Sequence, residues 1–375
     1  MPLLVRVTPP GRGAVATVLV EGPGARDVVA AVFRAKDGRA LGSHPKDRLV
    51  YGHIVDPSRE GTSETERRET QGPSEPREEV IVRCRDEESV EVHCHGGHAA
   101  PAMIEGLLAE RGCRVVGWKE WTDAHHEEPI TAAAHCALAL ARTRRTAAIL
   151  LDQYHGALRR AFDAIEQQLD RGETSAAIEE IDALLGRAPL GRHLVRPWRV
   201  AVAGPVNVGK STLVNAVLGY ARAITHVTPG TTRDVVTAST VVDGWPVELG
   251  DTAGLRAVGE PIERAGVEQT KGRLAEADLV VLVFDRSQPF SPGEQQLVGD
   301  WPSALVVHNK CDLAPHPGER PLGLTTCALR GQGVETLLEV VAHRLVPDAP
   351  PPGAAVPFAE EHVKRLLGLR RRASS

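Results

Sequence analysis

Eight residues near the middle of the chain, Gly204-Pro205-Val206-Asn207-Val208-Gly209-Lys210-Ser211, constrain its fold more than anything else in the sequence. They follow an apolar run, Val200 to Ala203, and precede a stretch with helical spacing, Thr212 to Leu218. Glycines at either end of a loop that closes in Lys-Ser let main-chain amides wrap phosphates at the positive end of a helix. Gly204, Asn207, Val208, Gly209, Lys210, Ser211 and Thr212 are therefore expected to cradle a nucleoside triphosphate. In that cradle Lys210 reaches the β- and γ-phosphates and the Ser211 hydroxyl ligates Mg²⁺.

Downstream residues name the base. Asn309-Lys310-Cys311-Asp312 follows another apolar strand, and the Asp312 carboxylate can accept both the N1 hydrogen and the 2-amino hydrogens of guanine. Adenine offers no such pair, so GTP and GDP are the expected ligands. Cys327-Ala328 occupies the place where a Ser-Ala pair usually lends its main chain to the base. Asp251-Thr252-Ala253-Gly254 follows the alternating strand Trp245 to Gly250, which puts Asp251 within reach of Mg²⁺ through water and the Gly254 amide near the γ-phosphate. Gly230-Thr231-Thr232-Arg233-Asp234 supplies the hydroxyls of Thr231 and Thr232, the latter a third Mg²⁺ ligand, in a loop that can close only on the triphosphate. Leu255 stands after Gly254 and cannot orient water, so hydrolysis needs another device.

Around these motifs, residues 197–346 read as a mostly parallel sheet with one antiparallel edge, the hairpin at Asp243-Gly244 forming that edge. Its ligands are expected beyond the strand C-termini. Residues 1–118 alternate β-branched runs with helical stretches and read as a small α+β domain. Within it, 56–79 is almost devoid of apolar residues and reads as a disordered hairpin insertion. In the helical domain 119–196, Leu151, Tyr154, Leu158, Phe162, Ile165 and Leu169 recur on one helical face, and Pro189-Leu190-Gly191 reads as a break. The tail, 347–375, is proline-rich and ends in a short helix, Ala359 to Leu369, with Arg370-Arg371-Arg372 as a solvated end rather than an RNA contact.

Composition excludes several classes. A net charge of -5 argues against a surface basic overall, and no apolar run approaches the length of a membrane span. The N-terminus has no signal-peptide pattern, and the six cysteines lack a paired spacing, which fits reduced thiols in a cytoplasmic protein that meets no membrane.

At its nucleotide motifs the chain resembles the MnmE/TrmE family of tRNA-modification GTPases, within the larger group that includes Era- and Der-like proteins. Thr8-Pro-Pro-Gly-Arg-Gly-Ala-Val15 and Val90-Glu-Val-His-Cys-His-Gly-Gly97 are similar to the two N-terminal signatures that set this family apart. The resemblance implies an α/β P-loop GTPase domain, an N-terminal α+β domain that dimerises and binds 5-formyl- or methylene-tetrahydrofolate, and a helical domain, here shortened. It implies that Asn207 ligates a K⁺ ion in place of an arginine finger, and that the subunits of a homodimer pair their GTPase domains. Glu263 falls at the water-orienting position after Asp251 to Arg256, so Lys210, Asn207 and Glu263 form the catalytic set. A solvated charge at a helix start is the other reading of Glu263. Arg12 either faces the folate or anchors a turn. A flavoprotein partner and tRNA complete the implied reaction at wobble uridine.

Three stretches depart from that pattern. The C-terminus, Arg370-Arg-Arg-Ala-Ser-Ser375, has no cysteine motif, Trp118-Lys-Glu-Trp121 replaces a characteristic N-terminal stretch, and the segment before the His-Gly-Gly signature is not evident. A second reading follows, in which the protein is a GTP-dependent RNA- or ribosome-associated switch that no longer modifies tRNA. His93, Cys94, His95 and His98, or His125-His126-Glu127-Glu128, read as structural rather than metal-binding, because in a strand Cys94 faces away from His93 and His95. Cys84 and Cys113 read as small core residues.

Overall fold

The computed structural model describes residues 1–9, 11, 13–56, 78–220, 237–251 and 274–374, which divide into two compact units, Met1–Ala132 and Ala133–Ser375. In the first, strands β1 (Leu3–Arg6), β2 (Val15–Glu21), β3 (Phe33–Ala35), β4 (Leu49–Ile54), β5 (Glu78–Cys84), β6 (Ser89–His95) and β7 (Arg114–Val115) form one sheet in the order β3-β4-β5-β6-β2-β1-β7. Alternation along β2 and β6 sends Ala16, Val18, Val20, Val90, Val92 and Cys94 to one face. Helices α1 (Ala25–Val32) and α2 (Ala99–Ala109) close that face with Val29, Val32, Ile104 and Leu108. On the other face Val5, Leu19 and Val116 pack with Trp118 and Trp121 of α3 (Trp118–His125). Trp121 Nε1 donates to Glu21 Oε2 at 2.7 Å, so the polar edge of the indole is satisfied.

The sequence boundaries of the insertion need one adjustment. Glu78 and Glu79 belong to β5, where Glu79 pairs with His53 and Glu78 with Ile54, while 57–77 lie outside the described residues. Charge did not keep these two out of the strand, because Glu78 Oε1 accepts from the His95 amide at 2.9 Å.

In the second unit, α5 (Arg144–Tyr154), α6 (Ala157–Asp170) and α7 (Thr174–Arg192) precede a sheet built from β8 (Trp198–Ala203), β9 (Thr237–Val242), β10 (Trp245–Asp251), β11 (Leu279–Asp285), β12 (Leu305–Asn309) and β13 (Leu324–Thr325). Between α3 and α5, α4 covers Pro129–Leu138. The strand order is β13-β12-β11-β8-β10-β9, parallel except for the β10–β9 edge, as the spacing predicts. Asp243 and Gly244 both take positive φ, 46° and 77°, the geometry a tight right-twisted hairpin requires. Every residue of β11 is buried, which explains its unbroken apolar run between Asp278 and Asp285.

Helices α8 (Lys210–Tyr220), α9 (Pro292–Asp300), α10 (Val334–Leu345) and α11 (Glu360–Ala373) complete the unit. Leu213, Val214 and Val217 of α8 and Leu337 and Val341 of α10 fill one core with β8, β10 and β11. Leu150, Leu190 and Leu194 join that same core, so α5 and α7 share their packing with the sheet, whereas α3 falls in the first unit.

Two helical expectations are corrected. The face running from Leu151 to Leu169 is not one helix: Gly156, in the left-handed region at φ 87°, separates α5 from α6 and leaves Leu151 45% exposed. Nor do Pro189-Leu190-Gly191 break the chain, since α7 runs through them to Arg192. A proline inside a helix forfeits one hydrogen bond. Here the burial of Leu190 and Leu194 in the core, with Gly191 against Pro357 of the returning tail, offsets the loss.

That tail is anchored, and its arginine run stays exposed as a solvated end. Arg365 pairs with Glu166 (2.8 Å) and stacks over Phe162, Arg370 pairs with Asp182 (2.8 Å), and Arg372 pairs with Asp170 (2.8 Å). Gln153 donates to the Ala354 carbonyl and accepts from the Val356 amide, fixing the Pro-rich segment from inside. No helix among the described residues is long and apolar enough to cross a membrane.

Candidate active site: the phosphate loop and the base-reading loops

Four parallel strands deliver the site to one edge of the sheet. In register, Asp251 lies opposite Val202, Leu282 opposite Ala203, and Asp285 opposite Asn309, so the ends of β8, β10, β11 and β12 come out side by side. Loops leaving the carboxyl ends of a parallel sheet form the ligand crevice.

The phosphate loop passes between β8 and α8 under tight steric control. A Cβ on Gly204 would sit 2.1 Å from the Val283 carbonyl oxygen, and one on Gly209 would sit 2.4 Å from Asn309 Nδ2. Glycine at both positions is therefore a packing requirement as well as a conformational one. Asn207 stands exposed at φ 63°, a left-handed conformation asparagine tolerates better than most residues. Val208 is buried at 4% exposure and pins the loop to the core. Lys210 is 8% exposed, and its Nζ donates to the carbonyls of Gly204 (2.9 Å) and Pro205 (2.6 Å), so the ammonium is held inside the loop it serves. Ser211 and Thr212 follow on the first turn of α8 with exposed side chains.

The loops carrying Asp312 and Cys327 are tied to that loop by Asn309. Its Nδ2 donates to the Val208 carbonyl at 2.9 Å, while its Oδ1 accepts from Thr326 Oγ1 (3.1 Å) and from the Ala328 amide (3.0 Å). With 2% of its surface exposed, Asn309 is a structural clasp joining the glycine loop to residues 326–328. Lys310, at φ 63°, pairs its Nζ with Asp285 Oδ2 at 2.7 Å. Burial would raise the Asp285 pKa, but the Lys310 ammonium and the Ser287 hydroxyl and amide outweigh it and hold the carboxyl below its ordinary value. Asp312 lies beyond, exposed, with the Cys327 thiol 3.2 Å from its Oδ1.

The Cys327 amide donates to the Gln332 carbonyl and the Ala328 amide to Asn309, so both are engaged within the protein. Sequence reasoning also passed over Asp285 and Thr326. Asp285 was visible as the charge ending an apolar strand, yet its partner Lys310 is named only by the pairing of β11 with β12. Thr231, Thr232, Gly254, Glu263 and Arg12 lie outside the described residues, and Asp251 is placed by its backbone alone.

The two N-terminal signatures come together in the first unit. Val15 pairs with His95, the Gly96 amide donates to the Ala14 carbonyl, and a Cβ on Gly96 would sit 1.8 Å from the Gly13 carbonyl oxygen. His93 Nδ1 meets Thr17 Oγ1 at 2.9 Å and His95 Nδ1 meets Glu78 Oε1 at 2.7 Å. Cys94 is 3% exposed, and burial pushes its thiol up to about 11. Burial likewise raises the thiols of Cys84 and Cys113, which makes all three poor nucleophiles.

A glycine loop clamped between a core strand and a helix, joined by one buried asparagine to the loop that ends in Asp312, is the arrangement of a P-loop GTPase. Residues 199–310 match the family model described as 50S ribosome-binding GTPase. Across nearly its whole length the chain is 33% identical to the tRNA modification GTPase MnmE of Thermus thermophilus, with 99% of this chain and 88% of the relative covered. It is 34% identical to the MnmE of Chloroflexus aurantiacus, over 90% of this chain and 80% of that one. The chain belongs to the MnmE family of tRNA modification GTPases. A solved structure of Aquifex aeolicus Era bound to GDP and aluminium fluoride superposes with a TM-score of 0.31 at 26% identity, covering 43% of this chain and 62% of that one.

Proposed function

We propose that this GTPase drives modification of the wobble uridine of tRNA, as a cytoplasmic K⁺-stimulated homodimer working with a flavoprotein partner. Its similarity to MnmE over 99% of its length is the observation that carries this reading, because it takes in the folate-type N-terminal signatures as well as the GTPase motifs. In this reading Asp312 reads guanine, Lys210 bears on the β- and γ-phosphates, and Asn309, Lys310, Cys327 and Ala328 shape the base site. Ser211 on the first turn of α8 and Asp251 ending the strand beside β8 are hard oxygen donors of the kind magnesium takes, with Thr232 as the third. The ion supplies charge neutralisation between the phosphates when bound. Glu263 orients the attacking water, and Thr231 and Gly254 close on the γ-phosphate. Residues 1–118 carry dimerisation and the folate site, with Arg12 facing the folate, 119–196 the shortened helical domain, 197–346 the GTPase domain and 347–375 the tail.

In this reading Asn207, exposed on the loop at φ 63°, ligates the monovalent cation. Hydrolysis is expected to run at least about tenfold faster in KCl than in NaCl at equal ionic strength. Equal initial rates of phosphate release in the two salts would remove the cation mechanism.

For the tRNA role the decisive measurement is mass spectrometry of wobble nucleosides from a strain lacking the protein. Loss of the modified uridine is expected. Unchanged nucleosides would favour the second reading, a GTP-dependent RNA- or ribosome-associated switch.

A further inference from the structure

We propose that Ser374 is a phosphorylation site for a Ser/Thr kinase with an acidic substrate groove, and that the phosphate releases the last two turns of α11 from α6 and α7. The inference is independent of the tRNA reading. It gives a use to the arginine run, which the nucleotide site leaves without one.

Recognition comes from the residues before the serine. Arg371 and Arg372 stand three and two positions ahead of Ser374, with Arg370 one position further back. A guanidinium is always charged and meets carboxylates as a fork, so a groove lined with Asp and Glu selects a serine that follows arginines at a fixed spacing. Ser374 itself is exposed at the C-terminal cap of α11.

A kinase must bring the hydroxyl in line with ATP, and here Ser374 Oγ donates to the Arg370 carbonyl at 3.0 Å, so the end of the helix has to unwind first. The structure of α11 allows this. Its buried residues, His362 and Leu366, lie in its first half, and from Leu367 to Ser374 none is buried. Gly368 marks the junction. A Cβ there would meet nothing within 4 Å, so packing does not demand the glycine, and glycine inside a helix weakens it relative to alanine. The ion pairs of Arg370 with Asp182 on α7 and Arg372 with Asp170 on α6 hold the last turns, each at 2.8 Å and each exposed. Exposed pairs of this kind are weak, so the arginines can exchange these carboxylates for those of the groove.

In the reaction Ser374 Oγ bonds to the γ-phosphorus of ATP, the bond from that phosphorus to the β,γ-bridging oxygen breaks, ADP leaves, and the hydroxyl proton passes to the kinase's catalytic aspartate. The product places close to two negative charges at the C-terminal end of a helix, where the dipole opposes them. It also competes with Asp182 and Asp170 for the neighbouring guanidinium groups. Helix end and ion pairs are therefore weakened together.

The test begins with the protein isolated from its own cells, cleaved after glutamate and examined by mass spectrometry for phosphate on Ser374, which is expected to be present. In parallel the purified full chain is incubated with labelled ATP and a Ser/Thr kinase that requires arginine two and three residues before the serine. Incorporation is expected to vanish in Ser374→Ala and to fall about tenfold or more when Arg371→Gln and Arg372→Gln are combined. Gly368→Ala, which keeps the motif and stiffens the helix, is expected to slow it about threefold. In the phosphorylated chain the amides of Leu369 to Ala373 are expected to exchange hydrogen about fivefold faster. Native protein free of phosphate on Ser374 in both growing and starved cells overturns the site. Incorporation that survives Ser374→Ala, or that ignores the two arginines, overturns the recognition, and unchanged amide exchange after phosphorylation overturns the release.

Discussion

Asp312→Asn is expected to turn the protein from a GTP-binding into an XTP-binding one, with the ratio of affinities moving by a factor on the order of 10³ or more. Guanine presents hydrogens at N1 and the 2-amino group, which two carboxylate oxygens accept. Xanthine carries an oxygen in place of that amino group, and an amide side chain can donate to it. A site built to pair polar groups penalises the ligand that leaves one of them unpaired, which makes the switch large in both directions. The substitution should be clean, because Asp312 is exposed and the Asn309 and Lys310–Asp285 contacts that hold the loop do not involve it. Competition of GTP and XTP against a fluorescent nucleotide measures the change. If the variant still chooses GTP, Asp312 does not read the base.

Gly191→Ala is expected to cost about 3 kcal/mol or more of stability, although it exchanges the residue for the best helix former near the end of α7. A Cβ at 191 would lie 1.8 Å from the Pro357 carbonyl oxygen, 2.7 Å from its carbon and 2.9 Å from the Phe358 Cα. All three are backbone atoms, so no side-chain rotation relieves the clash, and the segment carrying Val356 and leading into α11 must lift away. Val356 and Leu366 are fully buried and His362 nearly so, which makes the displacement a loss of core as well as of contacts. Raising ionic strength is expected to do much less, because the Arg365, Arg370 and Arg372 pairs are exposed and each contributes under about 1 kcal/mol. Urea denaturation of the two proteins at low and high salt checks both statements. A change within about 0.5 kcal/mol for Gly191→Ala would show that the tail's approach to α7 is not what stabilises this unit.

Residues whose reasons are local were legible without coordinates. The glycine-rich turn between Ala203 and Lys210, the hairpin at Asp243-Gly244 and the apolar strands β11 and β12 each follow from neighbours along the chain: backbone freedom at glycine, positive φ at a tight turn, and burial of continuous apolar runs. The parallel order of the sheet was legible too, because strands alternating with helices have few ways to pack. Helix limits were less so. Apolar spacing alone ran α5 and α6 together, and a left-handed glycine at 156 divides them.

What the sequence by itself determined is therefore local, the glycine loop between strand and helix, and residue type with short spacing named the candidates for base reading and metal binding. Only the tertiary structure decided how those parts hold one another, through Asn309 spanning two loops, Lys310 on Asp285, the Cys327 thiol on Asp312, and Gly191 beneath the returning tail. The physical reason is range. Dihedral preference and hydrophobic periodicity act over a few residues, while a hydrogen bond or a backbone contact between distant segments exists only once the core has brought them within ångströms.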